Sequence, residues 1–173
     1  MGCGIISLLS IDCISVSRIS HPSDRFSIGQ HIKTVIKSID QESGRIYVTH
    51  KELLGTWMEN ASIFTVGQTV AGIVRSIEDY GIFVELTPNL AGLAEIRENS
   101  QDMQLARVGA RVAVYIKSII PDRMKIKLVI IDTYKGASPA KRVKYYVDTD
   151  TVRHIDYWRY SPDGNVKVIE SIF

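Results

Sequence analysis

GQTVAGIVRSIEDYGIFVELTPNLAGL, residues Gly67 to Leu93, reads as two strands leading into a third. Val70, Val74 and Ile77 point to one side of the first strand and Arg75 to the other, while Gly72 lets a tightly coiled strand bend. Asp79-Tyr80-Gly81 supplies the turn, and Ile82-Phe83-Val84-Glu85-Leu86 is a β-branched and aromatic run ended by Thr87-Pro88-Asn89. Two aromatics, Tyr80 and Phe83, therefore stand at the start of the second strand. Periodicity leaves open whether they are core or surface.

The pattern Gly67, Val70, Gly72, Val74, Ile77, Tyr80-Gly81, Phe83-Val84-Glu85-Leu86 and Gly92-Leu93 resembles the S1-type RNA-binding domain family. The resemblance runs from about Phe64 to Ile131 and rests on many positions, which makes it far more specific than a lone glycine motif. It implies a mainly β chain with a five-stranded oligonucleotide-binding (OB) barrel whose second and third strands carry the ligand face.

Composition sets the bounds around this reading. A hydrophobic share of 45% with 23% charged residues is ordinary for a globular chain and argues against disorder or a membrane protein. The formal net charge of +2 means that any nucleic-acid binding comes from a local face and not from a global field. Cys3 and Cys13, the 2 cysteines, have no CxxC spacing, so no zinc site and no other cofactor is expected. The apolar start MGCGIISLLSI lacks a basic leader and a cleavage site, and Ile6 stands where a myristoylation signal wants Ser or Thr. It reads as a buried strand of a cytoplasmic protein.

Laying Ser27–Val48 over Arg107–Leu128 at a constant offset exposes an internal repeat. Gly29 falls on Gly109, Ile32 on Val112, Ile36-Lys37-Ser38-Ile39 on Ile116-Lys117-Ser118-Ile119, and Ile46 on Ile126. Residues 1–50 are therefore expected to hold the closing half of a second S1-like barrel, its third strand at Ile5–Ile11, fourth at Ile32–Ile39 and fifth at Arg45–Thr49. Asp12 to Arg25 is a longer connection with a turn at His21-Pro22-Ser23. Strands without partners invite pairing, so either a homodimer through this unit or a tail folded across residues 5–49 is expected.

Residues 51–63 form a linker in which Leu53, Leu54, Trp57 and Met58 recur at helical spacing, weakened by Gly55. Trp57 is read as a staple between the units in preference to a base platform. The complete unit, 64–132, should have a short helical turn over Glu98–Ala106 and a fourth strand with Val112, Val114 and Ile116 inward. A linker, Lys135-Gly136-Ala137-Ser138-Pro139, leads to a β-rich appendage, 133–173 overall. There Val143–Val147 and Val152–Tyr160 resemble a hairpin around Asp148-Thr149-Asp150, and Asn165–Ile172 a further strand. Its interleaved aromatics and basic residues suit single-stranded nucleic acid, though packing on the barrels is the preferred reading.

No nucleophile elbow, phosphate loop, carboxylate pair or ligand cluster appears, and His21, His31, His50 and His154 are scattered, so the chain is not read as an enzyme. Position by position, the family resemblance puts base stacking on Tyr80 and Phe83 and a phosphate contact on Lys125, with Arg75, Lys117 and Lys127 as further cations nearby. Two positions depart from the family: Glu95 stands where a histidine is usual, and Ile120 where an aspartate is. The first unit keeps that aspartate as Asp40, with Arg45 as basic partner. Glu95 would repel phosphate and weaken binding. The implied function resembles that of a short ribosomal protein S1-like protein: non-catalytic binding of single-stranded RNA in translation or RNA turnover, with the ribosome as a possible partner and no membrane. A protein-interaction module with little RNA affinity is the alternative.

Overall fold

The computed structural model describes residues 4–96, 106–136 and 142–173 of the 173-residue chain. The strands are β1 (Ser7–Leu9), β2 (Val35–Asp40), β3 (Arg45–Thr49), β4 (Thr69–Glu78), β5 (Gly81–Thr87), β6 (Leu90–Ala94), β7 (Arg111–Ile120), β8 (Lys125–Thr133), β9 (Tyr157–Arg159) and β10 (Glu170–Ile172). Between β3 and β4 lies a short helix, α1 (Trp57–Ala61). The chain is mainly β. The turn expected over Glu98–Ala106, apart from Ala106 itself, lies outside the described residues, as do Ala137–Pro139 of the linker, Lys141 and Cys3.

Strands β4 to β8 close into a five-stranded barrel in the order β4-β5-β6-β8-β7. Closure leaves no free edge, and the parallel pairing of Leu93 with Lys127 and Ala94 with Leu128 makes the seam. Strand alternation then sorts the side chains. Ile82, Ala94, Leu128 and Ile116 share one register row across β5, β6, β8 and β7, and all four are buried. The adjacent row, Ser76, Phe83, Leu93, Lys127 and Ser118, faces outward. Gly72 does more than let β4 bend: a Cβ there would stand 2.4 Å from Val84 Cγ1, so β4 and β5 pack closer than alanine permits.

The sequence repeat is a structural repeat down to its irregularity. Strand β3 pairs antiparallel with β2 and parallel with β1, as β8 pairs antiparallel with β7 and parallel with β6. Both antiparallel ladders slip at the same place, between Ile36 and Ser38 and between Ile116 and Ser118. The bulge turns a spacing of three into a same-side spacing, which is how Ile116 and Ile119 both reach the core. A third bulge between Val74 and Ser76 does the same for Val74 and Ile77. The first unit is a three-stranded sheet in the order β1-β3-β2. Its first and second strands are shorter than Ile5–Ile11 and Ile32–Ile39, while Arg45–Thr49 is as expected.

The linker departs from a single amphipathic helix. Gly55 takes φ +84°, a conformation that ends a helix, and splits the segment into a 3-10 turn at Lys51–Leu54 and α1. Thr56 restarts it with a capping box, its backbone N–H donating to Glu59 Oε2 at 2.7 Å and its Oγ1 accepting from the Glu59 N–H at 3.2 Å. Trp57 is buried in the core, where its backbone N–H donates to the Tyr160 carbonyl at 3.0 Å.

The tail also differs from expectation. Its hairpin pairs β9 with β10 antiparallel, around Ser161-Pro162-Asp163-Gly164 and not around Asp148-Thr149-Asp150. Alternation made Val143–Val147 look like a strand, but Asp148 instead accepts from the Asp150 N–H and the Thr151 hydroxyl, and Val152 N–H closes a turn onto its carbonyl. Trp158 and Tyr160 are buried against the barrel core, Tyr157 is exposed. The tail touches the first unit without adding a strand to its sheet: Lys33 N–H donates to Tyr145 Oη at 2.9 Å and Ser171 Oγ to Glu52 Oε1, in the linker, at 2.7 Å.

Candidate nucleic-acid interface

Phe83 lies between Ile82 and Val84, both buried, so alternation fixes its ring on the outer surface of β5. Tyr80, in the turn that joins β4 to β5, is 64% exposed. Their rings meet edge to face, centroids 6.1 Å apart and planes at 89°, a preferred aromatic geometry. Gly81 sets the approach, since a Cβ there would stand 2.6 Å from Leu93 Cδ1 and 2.9 Å from the Ala94 carbonyl oxygen. The pair of rings thus sits beside a closely packed corner of the barrel.

Register carries the surface from these rings to the cations. Phe83 pairs with Leu93, Leu93 with Lys127, and Lys127 with Ser118. Lys127 is held by Glu95, Nζ to Oε1 at 3.3 Å, so the carboxylate at the departing position occupies an ammonium that would otherwise face solvent. Lys125, exposed at the start of β8, and Lys117, exposed at the bulge of β7, stand on neighbouring strands.

Arg75 is placed differently. Its guanidinium, 11% exposed, donates to both Glu85 oxygens at 2.6 and 3.3 Å and lies 3.8 Å from Asp24. Arg25 grips the same carboxylate from the other side at 2.7 and 2.6 Å, with Ser15 Oγ accepting from it. Glu85 is on the outer side of β5, two residues from Phe83, but the 15–25 segment covers it. Ser17 N–H donates to the Pro88 carbonyl and Val16 N–H to Asn89 Oδ1. The first unit therefore closes one end of the β4–β5 surface and leaves the Tyr80–Phe83 end open.

Sequence reasoning missed Arg25, Glu85 and Asn89. Asn89 is fully buried and joins every part of the molecule: its amide Nδ2 donates to the Lys51 and Gly55 carbonyls at 2.9 and 2.8 Å, its Oδ1 accepts from Val16, and its carbonyl accepts from the Tyr160 hydroxyl. Burial pushes the Tyr160 phenol up, so it stays a donor. An apparent turn residue after Pro88 gave no local signal of this. Among the described residues there is no group of three or more His, Cys, Asp or Glu that could hold a metal ion, and no helix long and apolar enough to cross a membrane.

The family model described as "S1 RNA binding domain" matches residues 63–131. The small ribosomal subunit protein bS1 of Chlamydia trachomatis is 33% identical over 134 residues, 73% of this chain and 24% of that protein. That of Rhizobium meliloti is 33% identical over 140 residues, 77% of this chain and 25% of its own length. A Clostridium tetani protein named 4-hydroxy-3-methylbut-2-enyl diphosphate reductase is 32% identical over 133 residues, 76% of this chain and 20% of its own. The chain spans about a quarter of the length of these ribosomal relatives. Chain pattern, closed barrel and family model agree on residues 63–131, which hold an S1-type domain.

Proposed function

We propose that the chain binds single-stranded RNA without catalysis, through Tyr80, Phe83, Lys125, Lys117 and, once freed from Glu95, Lys127. The observation that carries this is the edge-to-face pair of exposed Tyr80 and half-buried Phe83, the latter in one register row with Lys127, inside the S1-matched segment. Every base has a π-face, so stacking on such rings is tolerant of sequence, while lysines neutralise phosphate. The division into 1–50, 51–63, 64–132 and 133–173 belongs to the same reading, and the resemblance to bS1 supports a role on the ribosome or in translation. The match to a protein named as a reductase covers a fifth of that protein and transfers no activity here. Arg75 serves as a structural cation in this scheme.

Anisotropy titration with unstructured RNA at two salt concentrations tests the proposal. Affinity that falls with salt and is competed by any single strand supports it; no binding overturns it. One observation favours the alternative of a protein partner or a second copy: the three-stranded sheet and its approach leave Ile6 90%, Ile39 57% and Leu8 56% exposed. Light scattering that shows a concentration-dependent dimer would favour that alternative.

A further inference from the structure

The outer row that runs Phe83, Leu93, Lys127, Ser118 in the barrel has a counterpart in the three-stranded sheet. Leu8 pairs with Tyr47 and Tyr47 with Ser38, matching Leu93, Lys127 and Ser118 position for position. So β3 presents an aromatic ring where β8 presents an ammonium. In front of it lies a recess of about 210 Å³ lined by Leu8, Ser10, Cys13, Lys37, Ser38 and Tyr47. That is smaller than the about 300–1,000 Å³ of a pocket for a multi-ring ligand and suits a single planar base.

The chemistry of the lining fits a nucleotide. Tyr47 and Leu8 supply the apolar surface, and Ser10 and Ser38 bring hydroxyls that can donate or accept at a base edge. Lys37 is the bulged residue of β2, and bulges re-aim side chains; its ammonium reaches over the recess to 3.6 Å from Cys13 Sγ. Among the described residues no carboxylate is paired with it, in contrast to Lys127 with Glu95. We propose that this recess seats one nucleotide of a single-stranded RNA, base against Tyr47 and phosphate at Lys37, as a second contact separate from the barrel face. The inference rests on the RNA-binding reading above.

The test uses the full chain and an oligouridylate of roughly 16 nucleotides, the upper site size of one OB fold. Tyr47→Ala weakens binding about tenfold, Tyr47→Phe stays within about twofold because the ring is kept, and Lys37→Gln lowers the slope of log affinity against log salt by about one. Lys37 is exposed, so its variant carries the test if Tyr47→Ala proves unfolded by circular dichroism. Wild-type binding that Phe83→Ala weakens but that Tyr47→Ala and Lys37→Gln leave unchanged overturns this second contact and spares the barrel face. Absence of any wild-type binding overturns both.

Discussion

Arg25 holds Glu85 through two charge-assisted hydrogen bonds, 2.7 and 2.6 Å long, across 60 residues of sequence, with both side chains under a tenth exposed. Removing one partner of a buried pair leaves the other charge stranded. Arg25→Ala is expected to destabilise the chain by about 3 kcal/mol, measured by urea denaturation. Arg75 remains on Glu85 and moderates the loss. A double-mutant cycle with Glu85→Gln should give a coupling above about 1 kcal/mol; additivity of the two variants would refute a direct pairing.

For the barrel face, Phe83→Ala should lose about 1–3 kcal/mol of RNA affinity with little change in thermal midpoint, because the ring is on the outer surface. A buried ring would behave oppositely and lose about 3–5 kcal/mol of stability. Calorimetry and anisotropy on the same preparation separate the two.

Glu95→Gln tests whether the carboxylate restrains Lys127. The ion pair is half-exposed on both sides, so stability should change by less than about 1 kcal/mol. RNA affinity should rise and become more salt-dependent as the ammonium is freed. Unchanged affinity would place the RNA away from β6 and β8.

Asn89 predicts a different failure. Asn89→Ala strips partners from the Val16 N–H and the Lys51 and Gly55 carbonyls at once. At about 0.5–1.5 kcal/mol for each hydrogen bond, a loss near 3 kcal/mol is expected. Asn89→Asp should fare no better, since a carboxylate replaces the only donors.

His50 sets a pH dependence. It is buried, with Nδ1 2.8 Å from the Ile14 carbonyl oxygen and its ring between Phe26 and Tyr145. Burial holds its pKa below the ordinary value of 6.5. In the unfolded chain the imidazole takes a proton near that value, whereas the folded chain takes it only at lower pH. The unfolded state therefore binds more protons in between, and stability, full above about pH 6.5, declines on acidification toward the folded pKa by at most about 1.4 kcal/mol per pH unit. Urea midpoints at pH 7.5 and 5.5 should show the decline, and His50→Gln should flatten it.

Local pattern carried far in this chain. The offset that laid Ile36-Lys37-Ser38-Ile39 on Ile116-Lys117-Ser118-Ile119 holds in the structure, where both ladders carry at that place a bulge that the repeat by itself did not announce. Phe83 could not be placed by alternation until the burial of Ile82 and Val84 showed which side of β5 faces the core. Arg75 looked like any outward cation, since nothing in the sequence of β4 points to Arg25 folding back over Glu85. Val143–Val147 had strand composition but no strand to pair with, and composition cannot supply a ladder.

Asn89 also governs how the molecule comes apart. One side chain and its own carbonyl fasten the first unit, the linker and the tail to the barrel, so loosening any of them takes a partner from a buried polar group of Asn89. The repeat is therefore not a string of independently melting beads. A heating scan should show one transition with matching calorimetric and van't Hoff enthalpies, and Asn89→Ala should divide it into two.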